Sequence, residues 1–237
     1  MNYLIDLHTH SIAGGHCYST IQENITAAKE KGLAVYGISE HAPAMPGGPH
    51  KFFFLNLKVL PKEVDGVRVL RGCEANIMDL EGNLDLEDSL LGALDYVIAS
   101  LHTPCIQSGT AAENTDCLIK VMDHPAVRII GHPDDARYPL EYERLVLAAK
   151  EKGILLEVNN TSLSPVSVRE GGRENVTEYL KLCKKYNVPV ILGSDSHYSG
   201  YVGDFTYAEE VLRAVDFPEE LVVNASLEKL RSYIPML

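Results

Sequence analysis

The feature that most constrains the fold is a regular alternation of short apolar segments with longer amphipathic ones. The apolar segments predict seven strands, at residues 3–7, 35–39, 67–75, 96–100, 128–130, 154–158 and 189–192. Strands that alternate with helices indicate an α/β fold with a mostly parallel sheet. Seven such repeats in 237 residues favour a closed or nearly closed (β/α) barrel, and an open doubly wound sheet is the alternative.

The segments between the strands show helical spacing of apolar residues. The first helix is predicted to begin at Thr20, with Glu23 completing a capping box and Gly32 ending the helix. Further helices are predicted at residues 111–123, 140–152, around 180, 208–215 and 227–234. No stretch rich in Pro, Gly and Ser separates these elements, so residues 1–237 are expected to form a single domain.

The least regular stretch is 42–60, which contains three consecutive phenylalanines at 52–54. A loop of that length is usually functional. The phenylalanines leave three alternatives open: a plug at one barrel end, a lid, or a contact between copies of the chain in a homo-oligomer.

Composition and charge argue against several classes of protein. Hydrophobic residues make up 46% of the chain and charged residues 23%, a balance typical of folded globular proteins. The formal net charge is −12. That charge disfavours nucleic acid as a partner, because such an interface needs a basic surface, and it equally disfavours an anionic membrane surface. No run approaches the roughly 18 apolar residues that a membrane-spanning helix needs.

The expected compartment is the cytoplasm. The first residues contain no basic region followed by a long apolar run, so no signal peptide is expected. The five cysteines are scattered and never spaced as C-x-x-C. This pattern suits a reducing compartment better than a disulfide framework.

The histidines carry the functional signal. Seven of the nine follow or end a predicted strand, together with two carboxylates. The nine residues of this set are His8, His10, His16, His41, Glu74, His102, His132, Asp195 and His197. In an α/β barrel the carboxyl ends of all strands meet on one face, which holds the site. We therefore expect these nine side chains to meet in one pocket.

The residue types in this set are metal ligands. Imidazole nitrogen and carboxylate oxygen bind Zn²⁺, Mn²⁺ and Fe²⁺. His8 and His10 are two apart on an extended chain, so both rings point to the same side, and Asp195 and His197 repeat this spacing. A single histidine at a strand end is more often a hydrogen-bonded loop residue. Nine candidate ligands on one face instead favour two or three ions, since one catalytic zinc ion takes three or four.

Six ordered motifs resemble the PHP superfamily, which is named after polymerases and histidinol phosphatases. They run from Asp6-Leu7-His8-Thr9-His10-Ser11 to Gly193-Ser194-Asp195-Ser196-His197 and span nearly the whole chain. Intervening segments, among them Leu70-Arg71-Gly72-Cys73-Glu74-Ala75-Asn76-Ile77, are similar to the stand-alone YcdX-like phosphatases. The resemblance implies a distorted seven-stranded (β/α) barrel holding three divalent metal ions, usually zinc, with manganese or iron as the alternatives.

The resemblance also implies how the ligands are shared. One ion would be held by His8, His10, Glu74 and Asp195. A second would be held by His16, His41 and His197. The third would be held by Glu74, His102 and His132, so Glu74 would bridge two ions. The remaining two histidines, His50 and His124, lack the strand-end context and are expected to lie in a loop and near a helix end.

A locally cationic pocket of this kind favours an anionic substrate, and small phosphate monoesters are the expected class. A metal-bridging hydroxide would attack phosphorus in line, since metal lowers the pKa of bound water to about 7. Glu74 and Asp195 are assigned the catalytic roles. Arg137, Arg169 and Asn160 are candidates for substrate binding, although each is equally well explained as an ordinary loop or turn residue.

Two other functions stay open from the sequence. One is another hydrolase on the same metals, acting on a phosphodiester, a cyclic amide or a lactone, because the metal chemistry does not choose among these bonds. The other is an editing or accessory PHP module of a replication polymerase. The acidic net charge and the lack of a basic stripe argue against that module.

Overall fold

Strands and helices alternate along the part of the chain that the computed structural model describes, residues 2–234. The strands are β1 (Ile5–Asp6), β2 (Val35–Ile38), β3 (Glu63–Val64), β4 (Val67–Asn76), β5 (Tyr96–Ser100), β6 (Val127–Ile130), β7 (Leu155–Asn159) and β8 (Val190–Gly193). The α-helices are α1 (Ile21–Glu30), α2 (Phe52–Asn56), α3 (Asp88–Leu91), α4 (Ala111–Val121), α5 (Tyr142–Lys152), α6 (Gly172–Tyr186), α7 (Thr206–Ala214) and α8 (Leu227–Tyr233). Met1 and residues 235–237 of the predicted single domain lie outside the described residues.

Seven of the strands are parallel and form a nearly closed barrel. Their spatial order is β1-β2-β4-β5-β6-β7-β8, and the short β3 pairs with β4 in antiparallel orientation. Each parallel neighbour is reached through a helical or irregular crossover on the outside, so both faces of the strands are buried. The predicted α/β fold with a seven-stranded (β/α) barrel is therefore confirmed.

The barrel interior is apolar towards the amino-terminal ends of the strands and polar towards their carboxyl ends. Side chains that point inward alternate along each strand, as on β7, where Leu155 lies in the apolar cluster and Glu157 is the next residue on the same side. The ring of Tyr96 fills the middle of the barrel, and a Cβ at Gly72 would lie 2.4 Å from that ring. Leu230 of α8 belongs to the same apolar cluster and covers the amino-terminal end of the strands.

The seam between β1 and β8 makes the barrel distorted. Within the described residues these two strands share no regular ladder; near their carboxyl ends the backbone N–H of Asp195 donates to the carbonyl of His8 at 2.8 Å. At the other end the fully buried Asn224 spans the seam. Its side-chain NH₂ donates to the carbonyls of Ile5 and Leu192, and its Oδ1 accepts from the N–H of Leu192. One side chain thus replaces the missing strand pairing.

The predicted elements agree closely with those observed. The bounds of the seven predicted strands differ from the observed ones by at most two residues. Thr20 caps α1, and Glu23 completes the capping box as predicted. The elements that the sequence did not indicate are β3, α2 and α3, which have five residues or fewer and are too short to show a periodic pattern. No helix within residues 2–234 has the length and apolar character needed to cross a bilayer.

The three phenylalanines of the irregular stretch do not act together. Phe54 is buried in the outer core, Phe53 packs against that core, and Phe52 is 66% exposed. The barrel end is covered by Leu230 of α8 instead. Association into a homo-oligomer through this region stays a prediction.

Candidate metal centre

The nine candidate ligands meet at the carboxyl ends of the barrel strands, around the fully buried Glu74 of β4. Its Oε1 lies 2.8 Å from His132 Nε2 and 3.2 Å from His102 Nε2. Its Oε2 lies 2.7 Å from His41 Nδ1 and 3.4 Å from His8 Nε2. The two oxygens of one carboxylate therefore face two different groups of imidazoles.

Asp195 forms the second acidic centre of the site. Its Oδ1 lies 3.1 Å from His10 Nε2 and 3.6 Å from His8 Nε2. Its Oδ2 accepts from both terminal nitrogens of Arg169, each at 3.1 Å. Asp195 has a φ of 53° and His132 a φ of 28°, a region that residues other than glycine rarely adopt. Such backbone conformations cost free energy and cluster at functional sites.

The outer part of the centre is built from the imidazoles of His16, His41 and His197. His16 Nε2 lies 3.1 Å from His197 Nε2, and the rings of His10 and His41 stack with centroids 4.2 Å apart. Donor atoms of His10, His41 and His197 lie within 4.8 Å of one another, and His41 also forms such a group with Glu74 and His102. His41 therefore stands between the inner and outer ligands.

A second layer of side chains lies against the other ring nitrogen of three histidines, through hydrogen bonds at His8 and His102 and a longer contact at His10. The pairs are His8 Nδ1 with Glu157 Oε1 at 2.6 Å, His10 Nδ1 with Glu40 Oε1 at 3.4 Å, and His102 Nδ1 with Asn76 Oδ1 at 2.7 Å. Metal-binding histidines commonly use one ring nitrogen in this way, which fixes the tautomer and the ring orientation. The Nε2 atoms of these three histidines are left for the centre.

The donor set at the centre fits divalent metal ions. Among residues 2–234, the Nε2 atoms of His8, His10 and His102 and Oε2 of Glu74 are buried and have no hydrogen-bond partner. Buried polar atoms without a partner are costly, so native proteins rarely collect them in one place. Imidazole nitrogens and carboxylate oxygens at this spacing are the usual ligands of zinc and related metals.

The buried charges shift the pKa values of the inner residues in opposite directions. Burial lowers the pKa of His8, but the carboxylates of Glu157 and Glu74 outweigh it and hold that pKa well above its usual value. For His10 burial is likewise outweighed, mainly by the close carboxylates of Asp195 and Glu40, and the pKa rises to about 9. The inner carboxylates therefore hold protons on neighbouring imidazoles whenever no other cation is present.

The outer histidines behave in the opposite way. Burial, reinforced by the nearby charge of His10, lowers the pKa of His41 to about 3 and that of His197 to about 4. Burial alone would raise the pKa of Glu74, yet the imidazoles of His102 and His41 hold it well below its usual value. At neutral pH the site thus contains an ionised Glu74 and neutral imidazoles at His41 and His197, the forms that bind metal.

Comparison with known proteins identifies the family of this chain. The family model described as PHP domain matches residues 6–161. A probable phosphatase from Clostridium novyi is 49% identical over 234 residues, covering 99% of this chain and 95% of that protein. The chain belongs to the PHP family. A probable phosphatase from Clostridium acetobutylicum is 45% identical over the same shares of both chains. The resemblance to PHP proteins that the motifs indicated is confirmed.

The PHP fold is also seen in a solved histidinol phosphate phosphatase from Lactococcus lactis subsp. lactis, complexed with zinc, L-histidinol and phosphate. The two structures superpose with a TM-score of 0.62, covering 92% of this chain and 95% of the other, at 17% sequence identity. At that identity the likeness concerns the fold alone.

The three candidate substrate-binding residues of this PHP protein already have partners within the chain. Arg137 lines the cavity that opens over the centre. It donates through Nε to Oδ1 and Oδ2 of Asp135 at 2.9 and 3.0 Å. Arg169 is bound to Asp195, one of the candidate ligands. Asn160 Oδ1 accepts from the backbone N–H of Tyr207 at 2.9 Å at the start of α7. Their role in substrate binding stays a prediction.

The sequence did not reveal Glu157 and Glu40, which are buried behind His8 and His10. Each lies against a glycine: a Cβ at Gly193 would lie 1.9 Å from Glu157 Oε1, and the corresponding distance from Gly14 to Glu40 Oε1 is 2.2 Å. Glu157 could have been suspected, because a charged residue inside the apolar strand 154–158 is expensive to bury without a partner.

The two histidines excluded from the site lie where they were expected. His50 is an exposed loop residue whose Nδ1 accepts from the N–H of Phe52 at 3.2 Å. His124 follows α4, and its Nδ1 accepts from the N–H of Ala126. Neither ring is among the groups of candidate ligands within the described residues.

Proposed function

We propose that this PHP protein is a metal-dependent phosphatase that hydrolyses small phosphate monoesters. The observation that carries the proposal is the position of Glu74, whose two buried carboxylate oxygens face separate groups of imidazoles. That arrangement suits a carboxylate bridging two cations. The names of the curated relatives, probable phosphatases that match nearly the full length of this chain, support the choice of phosphate ester.

The proposed centre holds three divalent ions, mainly zinc, because seven of its nine ligands are imidazoles. The proximity of His8, His10, Glu74 and Asp195 supports one site. The approach of His102 and His132 to Glu74 Oε1 supports another. The outer site is assigned to His16, His41 and His197. Manganese or iron are the alternative metals for all three sites.

Divalent ions held by these residues would supply a bound water of pKa about 7 and positive charge that favours a phosphate group. The chain's own contribution is positional. Glu74 keeps the inner sites at a set separation, and Arg169 holds Asp195 so that its Oδ1 faces His8 and His10. Preorganised charges of this kind are already aligned before the substrate binds.

The substrate would enter through the mouth, a cavity of about 320 Å³ that reaches His16, His102 and Asp195. Arg137 lies on the rim of this mouth, and we propose that its guanidinium binds phosphoryl oxygens there. Glu74 and Asp195 are proposed as the catalytic carboxylates and Asn160 as a further substrate contact. We also propose that residues 1–237 act as one domain.

The proposal is tested by metal analysis and hydrolysis on the same preparation. Protein purified without chelator should contain about three metal ions per chain, mainly zinc, and should release phosphate from an aryl phosphate monoester. A chelator should abolish this activity, and added Zn²⁺ or Mn²⁺ should restore it. One ion per chain or none would contradict the three-ion centre. Faster hydrolysis of an aryl phosphodiester or a lactone would contradict the choice of substrate.

A further inference from the structure

A second depression opens beside the mouth of the metal centre, and we call it the side pocket. It has a volume of about 340 Å³. Its lining contains the candidate ligands Asp195 and His197, several polar side chains, and the hydrophobic Val166, Tyr201 and Tyr207, which we call its wall. The mouth and the side pocket adjoin, because they share the lining residues Thr161, Ser164, Val166, Asp195 and His197.

The wall of the side pocket is apolar and largely open to solvent. Val166 is 87% exposed and Tyr201 is 61% exposed, although both are hydrophobic. Scattered exposed apolar residues are common on proteins, but apolar side chains that line a cavity next to a catalytic centre are the usual form of a ligand pocket. A flat apolar group would cover both side chains at once.

The charges around the side pocket disfavour an anionic group. Among the described residues that line it there is no lysine or arginine. Apart from the candidate ligands, its charged residue is Asp204, whose Oδ1 accepts from the N–H and the hydroxyl of Thr206 at 3.0 and 2.7 Å. Away from the candidate ligands, a second phosphate or a carboxylate would meet this acidic group with no lysine or arginine of the lining to compensate it.

The wall is held in place by hydrogen bonds to the strand ends that carry the ligands. Thr161 Oγ1 donates to the carbonyl of Ser194 at 2.9 Å. Arg169 joins Asp195 to Ser162 Oγ, which ties the loop that contains Val166 to a candidate ligand. Asn160 Oδ1 accepts from the N–H of Tyr207, which fixes the opposite side. A pocket fixed in this way binds without first having to be ordered.

We propose that the side pocket receives the leaving group of the substrate and selects phosphate monoesters of uncharged alcohols that carry a flat apolar group. This inference rests on the proposed phosphatase function. In the reaction, water adds to phosphorus, the P–O bond to the alcohol breaks, and the alcohol leaves with a proton from that water. A phosphoryl group beside Asp195 and His197 places the departing alcohol against Val166 and Tyr201.

The test compares benzyl phosphate with ethyl phosphate, two esters of primary alcohols that differ in the flat apolar group. With metal-replete enzyme, kcat/KM should be about 10-fold to 100-fold higher for benzyl phosphate, the range that extra apolar contact in a pocket supplies. Phosphoglycolate, which adds a carboxylate to the leaving group, should be a poorer substrate than ethyl phosphate. Tyr201→Ala and Val166→Ser should each lower the benzyl-to-ethyl ratio several-fold.

Leu147→Ser is the matched control, because Leu147 is an exposed apolar residue of α5 that does not line the side pocket. The control should keep the wild-type ratio. Equal kcat/KM for the two esters, a preference for phosphoglycolate, or a ratio unchanged in Tyr201→Ala and Val166→Ser would overturn the side pocket as the selecting site while leaving the phosphatase intact. No hydrolysis of any ester would instead refute the proposed function. If Tyr201→Ala fails to fold, Val166→Ser decides the outcome.

Discussion

Replacing Glu157 by glutamine tests how the barrel interior supports the candidate metal centre. Glu157 Oε1 accepts from His8 Nδ1 at 2.6 Å, and Oε2 accepts from the backbone N–H of His132 at 2.7 Å. Glutamine keeps the volume of the side chain but has one oxygen, so its NH₂ must face one of these two donors. The variant therefore leaves one buried N–H group without an acceptor.

The size of the effect follows from that single lost acceptor. A buried donor without a partner costs about 1–3 kcal/mol. Part of this cost falls on the metal-bound state, because His8 needs its proton on Nδ1 to keep Nε2 free for a metal. Loss of the group that orients a metal-binding histidine typically lowers metal affinity or activity about 10-fold to 100-fold. We expect a decrease in zinc affinity within that range.

The measurement is an equilibrium competition for zinc between the protein and a chromophoric chelator, followed by hydrolysis at matched metal content. Glu151→Gln is the control, since Glu151 is an exposed glutamate of α5. This substitution makes the same chemical change far from the centre. Urea unfolding of both metal-free variants checks the fold. If Glu157→Gln binds zinc within about twofold of the wild-type protein and is equally stable, Glu157 does not hold His8 and the reasoning is wrong.

Three further predictions concern the seam, the protons and the bridging carboxylate. Asn224→Ala removes three buried hydrogen bonds, so the free energy of unfolding in urea should fall by about 3 kcal/mol at roughly 1 kcal/mol each, and a loss below about 1 kcal/mol would contradict this role. Because the pKa of His10 is about 9 and that of His8 is held well above its usual value, zinc binding should displace protons from both imidazoles, and calorimetry in two buffers at pH 7.5 should show net proton release. Because zinc competes with these protons for the imidazoles, zinc affinity should increase as the pH rises towards 9. Glu74→Gln should lower phosphatase activity at least about 100-fold and His50→Ala should not, whereas equal activities at matched metal content would mean that the site is misplaced.

The sequence alone was sufficient to predict the topology and the set of candidate ligands. Seven strands separated by helices have few ways to bury their apolar sides, and a parallel barrel is one of them. In that topology every strand ends on the same face, so residues as distant as His8 and His197 were expected to meet. Local signals also sufficed for α1, because the capping box of Thr20 and Glu23 depends on residues three apart.

The sequence could at most mark a residue such as Glu157 as unusual, and it could not identify the distant partner through which the residue acts. Glu157 and Glu40 show no spacing that marks them as supports of His8 and His10, since each contact joins different strand ends. Asn224 directly follows the short apolar run 221–223 and shows no pattern of its own, yet it closes the barrel seam. Such roles become visible only when the strands are placed beside each other.

The tertiary structure decided which atoms face one another. The sequence named Arg169 as a possible substrate residue but could not show that its guanidinium also binds Asp195. It likewise could not show that the two oxygens of Glu74 face different imidazoles, or that Val166 and Tyr201 share a cavity. The physical reason is one of scale. Periodicity places a residue on a strand or on a face to within a few ångströms, whereas hydrogen bonds and metal coordination depend on tenths of an ångström set by strand register and side-chain rotamers.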